Sequence, residues 1–314
     1  MTPRISVVIP TFNRPAELRN CLDGFACQSG DPGDFEVVIA DDGSAEDARG
    51  IAADFADRLQ VHVERRNHAG VSVARNLAIA CSQAPLLLLY DDDLRPVPGL
   101  IEWCLQFHAE HPAIHEAALL HFAPDPAIAD LAVTRWGFDR MYPFPQSAGV
   151  YEWKYFWSGA VTSKRVLFDE EVFDPEFLAL EDSEFALRAS RRLPIKIHYT
   201  AATAGHFCRR LNVRQICNRE YRMGYFRHLM TQRHGLPIAH SVYENPRDFL
   251  IADWPDCCTL LSALRPQESA ILPSNSPRFR MLCGVWRKAS LHATASGWLA
   301  AQAGGPSEST LFEQ

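Results

Sequence analysis

The chain has 314 residues, of which 47% are hydrophobic and 22% charged, and its formal net charge is −7. This length suits one large α/β domain with an appendage, since single cores stop growing near about 250–300 residues. The acidic balance argues against a general nucleic-acid-binding protein, which would carry a basic face, and no apolar stretch reaches the roughly 18 residues of a membrane span.

The N-terminal sequence and the cysteines indicate in which cellular compartment the protein is expected. Residues 1–4 enter a predicted strand almost at once, which leaves no room for a signal peptide. The nine cysteines are odd in number and match no disulfide framework, so we expect reduced thiols in a cytoplasmic protein.

The first 110 residues alternate predicted strands and helices. Apolar runs at 5–9, 35–40, 61–63 and 86–90 predict strands, and helical spacing of apolar residues predicts helices over 15–28, 45–57 and 71–81. This order predicts an α/β fold with a mostly parallel sheet and helices on both faces.

After residue 112 the pattern loosens. Residues 124–155 carry four prolines and many aromatic residues, and we predict loops and short antiparallel strands there. A helix is predicted over 181–192, a strand over 195–199, helical structure beyond about 210 with a further helix over 278–301, and a frayed tail from Gly304.

An acidic turn follows the fourth predicted strand. Asp91, Asp92 and Asp93 come directly after the apolar run 85–90, at the strand end where open α/β sheets bind ligands. Like charges together require a cation, and carboxylate oxygens suit Mg²⁺ or Mn²⁺, which would in turn hold a diphosphate. The alternative is an acidic turn that caps the helix beginning near Pro98.

The other strands of the first half also end in polar residues. Thr11, Asn13 and Arg14 follow strand one, Asp41-Asp42-Gly43-Ser44 follows strand two, and Asn67 to Asn76 follows strand three. Each group alone could form turns or helix caps. Together they should line one edge of the sheet, where a nucleotide would lie.

These motifs resemble those of a family 2 glycosyltransferase with the GT-A fold, over residues 4 to about 210. The resemblance rests on the segments 6–14, 41–44, 70–76 and 91–93 and on Glu181-Asp182 followed by Leu187-Arg188. It implies that the chain moves a sugar from a nucleotide diphosphate sugar, with a UDP-sugar favoured, to an acceptor hydroxyl with inversion. The implied acceptor is a glycan, a lipid-linked molecule or a small molecule, and no nucleic acid is involved.

The resemblance also implies roles for individual residues. The nucleotide sugar would be bound by Pro10, Thr11, Asn13, Arg14, Asp42, Arg75, Asp91 and Asp92. The metal, Mn²⁺ or Mg²⁺, would be held by Asp93, Asp91 and His206, with His198 as a nearby alternative to His206. The acceptor would meet Trp157, Gly159 and Glu181, with core packing as the alternative role of Trp157. Arg209 and Arg210 either close over the diphosphate or lie on the surface.

The catalytic base is expected at Asp182. A hydroxyl is a poor nucleophile until a positioned carboxylate takes its proton, which contributes about 10²–10⁴-fold. Glu181-Asp182 opens a predicted helix, where acidic residues also favour the helix dipole. Glu184 is a less favoured substitute.

The expected domains are a catalytic domain over 1–210, with a nucleotide-sugar-binding half (1–110) and an acceptor half (111–210), and a helical extension over 211–314. The basic and aromatic residues 219–229 form either a membrane-surface helix that contacts a lipid-linked acceptor or a helix packed on the catalytic domain, and we favour the second. Peripheral contact with the inner face of a membrane and the oligomeric state are left open.

Two other functions remain alternatives. A nucleotidyltransferase also uses carboxylates and a metal, but it would require a glycine-rich loop after strand one, which residues 11–14 lack. A catalytically silent nucleotide-sugar-binding partner would have no need of Asp91, Asp93 and Asp182 together.

Overall fold

The structure is a computed structural model that describes residues 2–237, 241–252, 259 and 261–308, and within them nine strands form one mixed sheet. The strands are β1 (Ile5–Thr11), β2 (Phe35–Asp41), β3 (Val61–Arg65), β4 (Leu86–Tyr90), β5 (Leu94–Pro96), β6 (Glu116–Pro124), β7 (Gly149–Tyr151), β8 (Ala160–Lys164) and β9 (Lys196–Phe207).

Helices separate most of these strands along the chain. They are α1 (Pro15–Ala26), α2 (Ala48–Ala53), α3 (Val71–Cys81), α4 (Leu100–Glu110), α5 (Ala132–Met141), α6 (Glu181–Arg192), α7 (Val213–His234), α8 (Ser241–Glu244) and α9 (Pro277–Gln302). Short 3₁₀ helices cover Pro32–Asp34, Trp153–Tyr155, Arg165–Phe168, Pro246–Phe249 and Arg265–Gln267.

The strand order is β3-β2-β1-β4-β8-β6-β9-β5, and β7 pairs with β9. β3, β2, β1 and β4 are parallel neighbours, as are β6 and β9, while β8, β5 and β7 pair in antiparallel fashion. Every residue of β1 and β2 is buried, which explains why their sequences are almost continuously apolar. The predicted α/β fold is confirmed.

The parallel arrangement brings the candidate site together. Thr11 at the end of β1 lies in register with Asp41 at the end of β2, and β4 runs parallel to β1 on its other side. The polar residues that follow these strands therefore share one edge of the sheet.

The contacts divide the chain into two units. Unit 1 comprises Met1–Asp125 and Pro145–Arg209 and contains the sheet, and unit 2 comprises Pro126–Phe144 and Arg210–Gln314. We predict a boundary at residue 210 with 126–144 in the first part, whereas the contacts place that segment in unit 2. The division by function stays a prediction.

Unit 2 is built around the pair α7 and α9. A Cβ atom on Gly224 would overlap the carbonyl oxygen of Thr294, and one on Gly297 would overlap that of Tyr221, so both glycines are needed for the two backbones to approach this closely. Tyr221 and Phe226 of α7 are buried, which leaves them unavailable to a membrane surface. No helix in the described ranges has the length and apolar character needed to cross a bilayer.

Several predicted boundaries differ from the structure. The prediction of only loops and strands over 124–155 was wrong, because α5 forms between the proline pairs. β9 extends to Phe207 rather than ending at residue 199 because β5, β6 and β7 all pair with it. α2 is shorter than the predicted 45–57 helix, since Asp47 caps it by accepting a hydrogen bond from the Arg49 N–H. The adjacent cysteines at 257–258 and the tail beyond residue 308 lie outside the described residues.

Candidate active site

Asp92 is the structural centre of the acidic turn after β4. Its side chain is almost fully buried. Thr11 Oγ1 donates a hydrogen bond to one carboxylate oxygen at 2.7 Å, and Arg14 Nη1 donates to the other at 2.8 Å. These contacts fix the end of β1 to the end of β4. Contact of Thr11, Arg14 and Asp92 with a nucleotide sugar stays a prediction.

Asp93 lies beside Asp92 and is also buried. Its Oδ2 is 3.3 Å from Arg14 Nη1 and 4.0 Å from Arg209 Nη1. Burial raises the pKa of Asp93 to about 7; Arg14 opposes the shift, and the neighbouring charges of Asp92 and Asp91 add to it. The neighbouring carboxylates thus oppose the ionisation of Asp93, and a further cation would favour its charged form.

His206 has a side-chain nitrogen of the type that binds metals. It lies on β9 opposite Arg95 of β5, and two residues later Cys208 N–H donates to the carbonyl oxygen of Asp93 at 2.9 Å. Nδ1 of His206 is buried and has no hydrogen-bond partner among the residues that the structure describes. His198 lies eight residues back along β9, roughly 25 Å at strand rise, and its Nε2 is 3.4 Å from Glu116 Oε1.

The donor chemistry of Asp91, Asp93 and His206 fits Mn²⁺ or Mg²⁺, because carboxylate oxygens suit these ions and Nδ1 of His206 is a buried imidazole nitrogen with no hydrogen-bond partner among the described residues. Within the described part of the chain, no three histidine, cysteine, aspartate or glutamate side chains are grouped closely enough to hold a cation. The metal assignment of these three residues stays a proposal.

Asp42, at the end of β2, anchors the loop before α3. It is buried, and its two oxygens accept hydrogen bonds from the N–H groups of Ala69 and Gly70 at 2.9 and 2.8 Å. Nδ1 of His68 is 2.7 Å from the same carboxylate. The His68 ring stacks on Phe12, with centroids 4.1 Å apart, and Phe12 is 39% exposed. The partly exposed Phe12 ring is therefore linked to the Asp42 carboxylate through His68.

Asn13 ties the loop after β1 to the loop after β2. Its backbone N–H donates to Ser44 Oγ at 2.9 Å, and its side-chain oxygen accepts from the Ala45 N–H at 2.8 Å. Its φ of 54° lies in the left-handed region, which asparagine tolerates better than most residues. Pro10 is buried within β1, so its contribution to donor binding is at most through the backbone.

Arg75 joins the two groups of carboxylates. It is 2% exposed; Nη1 donates to Glu181 Oε1 at 2.9 Å and Nη2 donates to Asp91 Oδ1 at 3.1 Å. The guanidinium also lies over the Phe173 ring, 5.3 Å from its centroid. Glu181 is expected at the acceptor and Arg75 at the donor; the two side chains are in contact, and both roles stay predictions.

A strained residue places Asp182 at the start of α6. Leu180, immediately before the helix, has φ 60° and ψ 16°, a conformation that costs a leucine on the order of 1–3 kcal/mol. Asp182 is half-buried. Its Oδ2 accepts from the Ser158 N–H at 3.2 Å, and its Oδ1 accepts from the Ser183 N–H at 2.6 Å.

Asp182 is electrostatically suited to accept a proton near neutral pH. Burial raises its pKa to about 7, and the negative charge of Glu181 adds to the shift, while Arg75 and the two backbone N–H groups oppose it. A general base works best with a pKa near the operating pH.

The segment Trp157-Ser158-Gly159 contacts both carboxylate groups. Ser158 N–H reaches Asp182, and the carbonyl oxygen of Gly159 accepts from the Asp91 N–H at 2.9 Å. Trp157 is half-buried and its Nε1 donates to the carbonyl of Lys154 at 3.2 Å. Phe156, by contrast, is fully buried, so the core role belongs to Phe156 and Trp157 keeps an accessible part.

Glu184 is committed to a structural interaction. It is fully buried, and both of its oxygens accept from Arg188, at 2.7 Å from Nε and 2.8 Å from Nη2. This two-point ion pair within α6 disfavours Glu184 as the base.

The structure adds site residues that the sequence analysis did not single out. His68 and the exposed ring of Phe12 are one such pair, and the Ser158 N–H is another contact. Phe12 stands in a motif quoted for the resemblance, and that position could have signalled it. Nothing local signals His68 or Ser158, because their partners lie 26 and 24 residues away along the chain.

Several known proteins are similar to this chain in sequence or in fold. Residues 6–125 match the family described as Glycosyl transferase family 2. The chain is 31% identical over 183 residues to a validoxylamine A glucosyltransferase from Streptomyces hygroscopicus subsp. limoneus, which covers 50% of this chain and 40% of that relative. The chain thus spans less than half the length of that relative.

Two solved structures share the fold over nearly the whole chain. TarS 1–349 of S. aureus in complex with UDP-GlcNAc has a TM-score of 0.58 at 16% identity, covering 97% of this chain and 93% of that one. The mannosyltransferase PcManGT from Pyrobaculum calidifontis, in complex with GDP-Man and Mn²⁺, has a TM-score of 0.60 at 14% identity, covering 95% and 88%. The fold is the GT-A fold that the resemblance implied.

Proposed function

We propose that this chain, whose residues 6–125 belong to glycosyl transferase family 2, transfers a sugar from a nucleotide diphosphate sugar to an acceptor hydroxyl with inversion. The observation that carries the proposal is the pairing of two carboxylate groups, Asp91–Asp93 and Glu181–Asp182, through the buried side chain of Arg75. One group can hold the donor while the other serves the acceptor.

In the proposed step, Asp182 takes the proton of the acceptor hydroxyl. The hydroxyl oxygen forms a bond to the anomeric carbon, and the bond from that carbon to the diphosphate oxygen breaks. The diphosphate leaves with the electron pair from the opposite face, which inverts the configuration. Support for Asp182 comes from its pKa of about 7 and its two fixed backbone hydrogen bonds, which orient the carboxylate.

The donor end uses the residues after β1, β2 and β4. Phe12 offers an aromatic face for the nucleobase beside Asp42, and Arg14 and Arg209 place positive charge next to Asp93. A UDP-sugar is the favoured donor. TarS is solved with UDP-GlcNAc and PcManGT with GDP-Man, so both bases belong in the test.

Asp91, Asp93 and His206 would hold Mn²⁺ or Mg²⁺. When bound, the ion supplies Lewis-acid stabilisation of the departing diphosphate. Because Arg14 contacts Asp93 Oδ2, a cation at that oxygen competes with the arginine.

The acceptor is proposed to approach Trp157, Gly159 and Glu181. The accessible part of the Trp157 ring can stack on the apolar face of a sugar or another flat group. A glycan, a lipid-linked molecule and a small molecule all satisfy this chemistry.

The test is a panel of UDP, GDP, dTDP and CDP sugars with Mn²⁺, read by release of nucleoside diphosphate and by NMR of the new glycosidic bond. We expect diphosphate release from at least one donor and a product of opposite anomeric configuration. Asp182→Asn should retain donor affinity and lose roughly 10²-fold or more in single-turnover rate. Glu152→Gln, at an exposed position, is the matched control.

Three outcomes would contradict the proposal. Transfer of the nucleotidyl group in place of the sugar would indicate a nucleotidyltransferase. Donor binding with neither hydrolysis nor transfer would indicate a binding module. Retained configuration would exclude the single displacement at Asp182.

A further inference from the structure

One side of the first half of α9 is strongly basic. Arg278, Arg280, Arg287 and Lys288 are exposed, together with Met281. Arg280, Met281, Arg287 and Lys288 fall within about a third of the helix circumference, and Arg278 lies just beyond the edge of this sector; we call these five residues the basic face. The opposite side of the same turns is packed inside unit 2 and includes Phe279, Leu282 and Trp286, all at most 8% exposed. The basic face is therefore presented by a folded scaffold.

The surrounding sequence contains no compensating charge. Residues 269–307 include no aspartate or glutamate. Unit 2 as a whole carries fourteen arginines and lysines against ten acidic residues, a formal charge of +4, whereas unit 1 carries −11. The positive charge is thus a property of unit 2 within an acidic protein.

The cations of the basic face form no ion pairs within the described part of the chain. Among the described residues, no carboxylate forms an ion pair with Arg280, Arg287 or Lys288. Arg278 hydrogen-bonds the side chain of Gln267, a neutral partner. Exposed cations without internal partners are available to an external anion.

Apolar side chains accompany these charges. Met281 lies within the basic face and is 55% exposed, and Ile271, six residues before α9, is 73% exposed. A soluble polyanion would gain nothing from them, whereas a bilayer interface accepts apolar side chains among its head groups and acidic lipids attract the cations.

We propose that the basic face binds the surface of a bilayer that contains anionic lipids. The surface differs from α7, where Tyr221 and Phe226 are buried, and the proposal does not depend on the sugar-transfer activity. The basic face would bind the membrane through both its charges and its apolar contact. Either interaction alone would give only weak, reversible binding.

The test is co-sedimentation of the full chain with vesicles of phosphatidylcholine, with and without phosphatidylglycerol. We expect binding only to the anionic vesicles, and weakening as salt is raised, because exposed charges are screened beyond about 8–10 Å at moderate ionic strength. Arg280→Gln/Arg287→Gln/Lys288→Gln should lower the partition coefficient by about a hundredfold, at roughly fivefold for each cation.

A matched variant controls for total charge. Arg4→Gln/Arg19→Gln/Arg58→Gln removes three exposed cations from unit 1 and should leave vesicle binding within about twofold of the unchanged protein. Both triple variants should keep the thermal unfolding midpoint and the nucleotide affinity, so that a loss of binding is not a loss of fold.

Met281→Ser distinguishes a bilayer from a soluble polyanion. It should weaken binding to anionic vesicles and leave binding to soluble polyphosphate unchanged. The proposal is overturned if anionic vesicles are not bound, if the two triple variants lose binding equally, or if polyphosphate is bound as well as vesicles and Met281→Ser affects neither.

Discussion

A methyl group on the Cα atom of Gly159 would lie 2.7 Å from Oδ2 of Asp91, so Asp91 keeps its observed position only beside a glycine. The backbone of Gly159 also accepts the Asp91 N–H at 2.9 Å. The segment that reaches Asp182 through Ser158 is thereby in direct contact with the acidic turn after β4.

We therefore expect Gly159→Ala to destabilise the protein by about 1–3 kcal/mol, the usual cost of forcing atoms into a packed site, and to weaken donor binding. Urea denaturation and nucleotide titration measure the two effects. In an Asp91→Ala background the same substitution should cost much less. Gly50→Ala is the control, because nothing lies within 4 Å of its added methyl group and alanine favours a helix. Equal costs in both backgrounds would show that the clash with Asp91 is not the cause.

The protonation of Asp182 should make stability depend on pH. Its pKa is about 7 in the folded chain and about 3.9 when unfolded. A raised carboxyl pKa favours the protonated fold, so this stabilisation is complete below about pH 4 and is lost as the pH rises through about 7.

Asp182→Asn removes that dependence. Relative to the unchanged protein, the variant should gain about 1–3 kcal/mol in free energy of unfolding between pH 5 and pH 8, measured by urea denaturation at each pH. Parallel pH profiles for the two proteins would mean that the folded pKa of Asp182 is ordinary.

Manganese binding should distinguish the two histidines of β9. Nδ1 of His206 is buried without a hydrogen-bond partner in the described ranges, whereas Nε2 of His198 lies 3.4 Å from Glu116 Oε1 at the other end of the strand. We expect His206→Ala to weaken Mn²⁺ binding by at least about tenfold and His198→Ala to leave it unchanged, with calorimetry as the measurement. Asp93→Asn should resemble His206→Ala. The reverse ranking of the histidines would place the metal elsewhere.

Phe12 should contribute to nucleotide affinity and little to stability. Its ring is 39% exposed and stacked on His68. Stacking of a base on an aromatic ring is worth about 1–3 kcal/mol by alanine substitution, so Phe12→Ala should raise the dissociation constant of UDP roughly 5- to 150-fold, while Phe12→Tyr should leave it near the original value. Unchanged affinity in Phe12→Ala would show that the base lies elsewhere.

The first half of the fold was predictable because its signals are local. β1, β2 and β4 are buried on both faces, so their apolar sequences stand out, and each is followed by turn-forming residues. The helix α6 was predicted at its observed ends, Glu181 and Arg192, because acidic residues open it and arginines close it.

α5 was missed because its stabilising contacts are distant in sequence. The helix contains Gly137 and the β-branched Val133 and Thr134, which are poor helix formers, and prolines flank it. Gly137 has a compensating role, since a Cβ atom there would lie 2.8 Å from Cδ1 of Ile216 on α7. Close packing against another helix, not propensity, explains this element.

The sequence indicates the candidate site residues one by one but not the contacts among them. Motif positions indicated Arg75, Glu181 and Asp91 separately. The ion pair between Arg75 and Glu181 joins residues 106 positions apart, and no local pattern encodes such a pair. No local pattern predicts the requirement for glycine at position 159 either. That requirement comes from the Asp91 side chain, which lies next to it in the structure.

The composition of unit 2 from two separate segments has a consequence for synthesis on the ribosome. The residues of α5 emerge early, yet their partners in α7 and α9 emerge only after the whole of unit 1. The buried side of α5 includes Val133, Phe138 and Met141. It therefore stays uncovered until about seventy more residues have been added and α7 begins to emerge. At ordinary elongation rates this takes a few seconds or more. A chain cut at residue 210 would never cover it, so a fragment that ends there is expected to aggregate unless residues 126–144 are also replaced by a short polar linker.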